Sequence, residues 1–217
     1  AALTPTQIAA LENADIAAMG TAQFAALGSD QVGALRTAQV AAVTTAQLAS
    51  IQPEALNALS TGAFSQLSSA QVAALTNAQV AGLNPYQVGT ISTAQVAHLG
   101  TAQIRAIETG DLSALTTAVV AALATAQVAA LTNAQVQALS TAQVAALTAT
   151  QVGALSTSQV AAMETADLAS LSTAALAGLG TDDIVALTTD QAAAITATQA
   201  DALTTAQVAA LETRDLR

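Results

Sequence analysis

The sequence contains no cysteine, no lysine and no tryptophan, and only one histidine, one tyrosine and two phenylalanines among its 217 residues. Without cysteine there is no disulfide framework, no thiolate metal centre and no sulfur nucleophile, and without lysine there is no Schiff base. Charged residues make up 8% of the chain, against roughly 25% in an average domain. The charges present are unbalanced: fourteen acids against four arginines give a net charge of -10, which repels phosphate backbones and anionic lipid. No nucleic-acid partner is expected. Long apolar runs are missing as well; the stretch Ala118 to Ala124 falls far short of the roughly 20 residues that span a bilayer, so no membrane span is expected.

What remains is an apolar content of 53% carried mostly by alanine and short aliphatics, arranged with a strict period of eight. From Thr4 the chain divides into 26 consecutive octads ending at Leu211, and the modal octad reads T-T-A-Q-V-A-A-L, as at Thr204 to Leu211. Position eight is Leu, Ile, Val or Met in every octad, and position five is aliphatic or Phe except at Ala192 and Ala200. Residues three apart share a face on a helix and oppose each other on a strand, so these two columns predict a helical core stripe. One continuous helix would turn about 800° per octad and carry the stripe around its axis. The helix must therefore break once per repeat.

Thr or Ser at position one with Gln or Asp at position four has capping-box spacing, in which each side chain satisfies the other residue's backbone N–H. Pro5, Pro53 and Pro85 all stand at position two, the first helical residue, where a missing N–H costs nothing. Glycine at position one, as at Gly20, Gly28, Gly100 and Gly180, suits a residue that ends one helix and caps the next. Helices of about six residues are marginal alone and need stacking. The pattern thus predicts an all-α fold, an α-solenoid or superhelix of about 26 short capped helices, one per octad, running as a single continuous domain over 1–217 without a linker. The small residues at positions six and seven predict close backbone approach between coils, and position three is expected to be the most exposed.

Candidate chemistry is sparse. Glu at position one accompanies Asp at position four in Glu12/Asp15, Glu108/Asp111, Glu164/Asp167 and Glu212/Asp215, which suits either helix capping or a hard cation such as Ca²⁺. Asp182, Asp183 and Asp190 form the densest acidic group and are the candidate metal ligands. His98 is a lone imidazole in a small-residue column, and Tyr86 is an outward aromatic beside Pro85. No G-x-S-x-G elbow or phosphate loop occurs, so no catalytic residue and no cofactor are expected.

The tracts Thr125 to Thr132 and Thr141 to Thr148 resemble the T-A-Q-V-A-A-L-T repeats of very large bacterial surface and secreted proteins of the adhesion and haem-utilisation exoprotein type. The resemblance implies an extracellular or cell-surface location and a structural task. It brings no haem ligand, since His98 has no accompanying pocket in the pattern. The expectation is a non-enzymatic spacer, stalk or filament component that associates end to end or meets a cell-surface or matrix partner; the alternative is a binding or adhesion module whose surface or outward acids hold a partner or Ca²⁺.

Overall fold

The computed structural model describes residues 3–215, with side chains described through Leu211. Within them every octad forms one short helix, from Pro5–Ala10 in octad 1 to Ala197–Ala200 in octad 25, each of four to six residues. The break falls where the sequence places it. Thr4 caps the first helix in extended backbone (ψ 159°), and Leu11 at position eight is again extended (ψ 145°), which ends the helix. All three prolines lie in the first helical turn.

The chain forms two compact units, Ala1–Leu115 and Thr116–Arg217. In the first, position five is buried in every octad from Ile8 to Leu112, and position eight from Leu27 to Leu115. In the second, the same two columns are buried from Val120 to Leu187. Position three is exposed in every octad from Thr6 to Ala206. Helices pack on those three octads away within each unit, as Thr21–Ala25 does on Thr45–Ser50 and Thr141–Ala145 on Thr165–Ser170.

Small residues at positions six and seven serve this approach. A Cβ built on Gly33 would lie 3.1 Å from the Ala58 carbonyl oxygen, and one on Gly153 would lie 2.7 Å from that of Gly178. Glycine here supplies room and not a special conformation, because no described residue has a positive φ. The position-one glycines accordingly sit in ordinary extended backbone, Gly100 at φ -72°, and end no helix in a left-handed cap.

Two local expectations fail. Octad 14 is a 3-10 helix, Thr109–Ala114, in which Gly110 lowers helical propensity and no side chain caps Glu108. The last helix, Thr205–Asp215, runs through the break expected at Glu212. Leu211 is only half-buried, but so are Leu11, Met19, Ile195 and Leu203, where the helix does break, so burial of position eight does not account for the continuation.

Candidate functional site

The buried polar groups of this fold are the position-four side chains. From Gln39 onward every glutamine of that column is buried, down to Gln207 at 2% exposed. Within each unit, the glutamines whose amide bonds are resolved use both ends of the amide. In octad 10, Gln79 Oε1 accepts from the Thr76 backbone N–H at 2.8 Å, closing the expected capping box, while Nε2 donates to the Leu48 and Ile51 carbonyls at 2.8 and 2.7 Å. These carbonyls belong to positions five and eight of the octad four repeats earlier, 31 and 28 residues back. Gln39, Gln47, Gln71 and Gln87 repeat the pattern in the first unit, and Gln151, Gln159, Gln191, Gln199 and Gln207 in the second. Within each unit the glutamine ladder stitches a coil to the one before it.

These bonds measure the superhelix. Helices pack on those three octads away while glutamines reach back four, and the recurring offset is 28 residues, or three and a half octads per turn. The Gln79 stitch comprises three hydrogen bonds, worth about 0.5–1.5 kcal/mol apiece. The chemistry available to the ladder is cohesion between coils: among the described residues no buried side-chain nitrogen or oxygen lacks a partner.

Capping was legible in position four; the second half of the amide was missed. Its signal was present, since Glu would complete a capping box as well as Gln, yet no octad carries Glu there. A carboxylate accepts at the cap and cannot donate to the coil below.

The acidic candidates do not converge. Asp182 and Asp190 are exposed, while Asp183 is buried and its Oδ2 accepts from the Gly180 N–H at 2.9 Å. No cluster of three or more His, Asp or Glu able to hold a metal ion occurs among the described residues. Of the Glu–Asp pairs, Asp15 caps Glu12 at 3.1 Å; the side chains of Glu212 and Asp215 lie outside the described residues. Asp111 and Asp167 form no capping box. Burial raises the pKa of both, with Glu108 and Glu164 adding repulsion in the same direction; for Asp167 a hydrogen bond with the Thr141 side chain works the opposite way and outweighs Glu164. His98 and Tyr86 are exposed. Open grooves among the described residues include one of about 400 Å³ beside Leu3, Pro5 and Asp30 and a second of about 460 Å³ beside Glu164, Asp190 and Gln191. In the second, the Gln191 amide is already committed to Val160 and Met163.

Comparison with curated proteins finds no match. The family model of the ALTTAQ repeat matches five times, at residues 8–45, 48–85, 104–141, 133–163 and 160–197. Three of these windows open on a carbonyl residue of the ladder and contain its glutamine: Ile8 with Gln39, Leu48 with Gln79, and Val160 with Gln191. Each spans one complete stitch. With most of its length covered by these matches, the chain belongs to the ALTTAQ repeat family.

Proposed function

We propose that this chain is a non-enzymatic structural element, a spacer, stalk or filament component working outside a bacterial cell. The observation that carries the reading is the commitment of the buried polar side chains to cohesion, with the ladder and the caps leaving none of the described ones unpartnered for chemistry. Composition supports an exposed setting: a chain without cysteine holds no thiol to oxidise, and its cohesion, resting on aliphatics and neutral amides, is little screened by salt. No described helix is long and apolar enough to cross a membrane. A repeated stacking surface also suits end-to-end self-association, because a coil that receives the next coil of its own chain can receive one from another copy.

Electron microscopy of the concentrated protein, read with light scattering, tests this. Rods or fibres support the structural reading, rods of single-chain mass selecting the spacer and fibres the filament. Compact particles of one chain, together with turnover of a substrate or saturable capture of a soluble ligand, overturn it.

A further inference from the structure

The position-four cap is interrupted on a schedule. Position-four capping is absent in the helices Pro53–Asn57 and Thr61–Phe64, again in Thr109–Ala114 and Thr117–Ala121, and again in Thr165–Ser170 and Thr173–Leu176. These are octads 7–8, 14–15 and 21–22. The other octads through octad 25 all carry the position-four bond to the N-cap, so the interruption recurs every seven octads, or 56 residues. That is twice the 28-residue turn.

Other columns keep the same period. Position four reads Ala55/Ala63, Asp111/Val119 and Asp167/Ala175, none of which as found at neutral pH can donate a side-chain hydrogen bond to the coil below; Asp183 keeps its cap on Gly180 but has no donor either, which extends the third gap in the donor ladder through octad 23. Position five beside the first of each pair is Leu in all three cases, Leu56, Leu112 and Leu168, where Val is usual. Position eight just before each pair departs from Leu, as Ile51, Ile107 and Met163. Within the first unit the close approaches of Gly33 to Ala58 and of Gly89 to Ala114 are likewise 56 residues apart. Larger side chains and tighter backbone contact thus stand where the amide is missing. Apolar contact is non-directional, however, and leaves both the N-cap N–H and the two earlier carbonyls without their amide.

We infer that the chain is organised in 56-residue double turns, and that the unstitched octad pairs are where its coils open first. Opening is a property of the coil that hydrogen exchange reads residue by residue. Exchange measured by mass spectrometry on the full chain under native conditions is expected to run about tenfold faster in 52–67 and 164–179 than in 76–107 and 124–155, with 108–123 matching the fast segments. Asp167→Gln restores one amide, and exchange in 164–171 should then slow to the level of its neighbours. Uniform protection across the octads, or protection that only declines toward the two ends of the chain, overturns the inference. So does a wild-type profile with the expected fast segments in which Asp167→Gln leaves 164–171 unchanged.

Discussion

Replacing Gln79 with Glu changes one atom's role and little of the volume. Oε1 still accepts from Thr76, but the Nε2 donor, 2.8 and 2.7 Å from two carbonyl oxygens, becomes a carboxylate oxygen facing two lone-pair donors. Gln79 is 1% exposed, so water cannot relieve the contact. Two donated bonds are lost at about 1 kcal/mol each, and an anion is desolvated among acceptors, for a total of about 3–5 kcal/mol at neutral pH. The carboxyl responds by raising its folded-state pKa above the unfolded value of about 4.3. A raised carboxyl is stabilising while protonated, so the deficit relative to wild type is full above the folded pKa, shrinks as pH falls through it, and reaches its minimum below about 4.3. There the neutral acid donates one O–H to one carbonyl, and a deficit of about 1 kcal/mol remains. Urea unfolding followed by circular dichroism from pH 7 to pH 3.5, with Gln66→Glu at an exposed position as reference, measures this. A Gln79→Glu deficit that is independent of pH, or no larger than that of Gln66→Glu, refutes the donor role of the amide.

Burial raises the Asp167 carboxyl, so its ionised form weakens the fold at neutral pH and that cost disappears once it is protonated; Asp167→Asn should raise the melting temperature by about 2–4 °C at pH 7 and change nothing at pH 3. Val144 is fully buried, and Val144→Asp should cost about 3–5 kcal/mol in urea unfolding, a neutral result removing position five from the core. A Cβ on Gly178 would collide with the Ala149 carbonyl whereas one on Gly62 meets nothing within 4 Å, so Gly178→Ala should destabilise by about 1–3 kcal/mol and Gly62→Ala stabilise by about 0.5–1 kcal/mol. Calcium at millimolar excess should leave the melting curve unchanged, because Asp183 is spent on the Gly180 cap; a calcium-specific rise that a chelator reverses would return Asp182, Asp183 and Asp190 to a ligand set.

The fold was legible because its determinants are local and repeated. Thr4 and Gln7, Pro5 and Ile8 state a cap, a helix start and a core position within eight residues, and the structure realises each of them; the position-eight column, half-buried at Leu11, is buried from Leu27 to Leu115 in the first unit. The partners of the position-four amide were not legible, because they lie 28 and 31 residues away and no local spacing encodes that distance. The surroundings of the acidic candidates were not legible for a related reason. Asp182, Asp183 and Asp190 are near in sequence, but position three points to solvent and position four to the previous coil, so the octad itself separates them.

The half-integer turn explains why glutamine fits this place. Were a turn a whole number of octads, each residue would lie over its own equivalent, and amide would meet amide with the helix ends left uncovered. A turn of three and a half octads sets the first turn of one helix over the last turn of another, so that position four lies over the carbonyls of positions five and eight. Those carbonyls sit at a helix C-terminus: the position-five carbonyl accepts only from the position-eight N–H that closes its own helix, as Leu48 does from Ile51, and the position-eight carbonyl lies past the last helical donor. The amide therefore caps two helices at once, accepting from the N-terminus of its own and donating to the C-terminus of another. Asparagine is one methylene short of reaching both, and glutamate has no hydrogen to give; lysine could donate to the carbonyls but could not accept at the cap. Among the common side chains of this length, glutamine alone couples the eight-residue cap to the 28-residue turn.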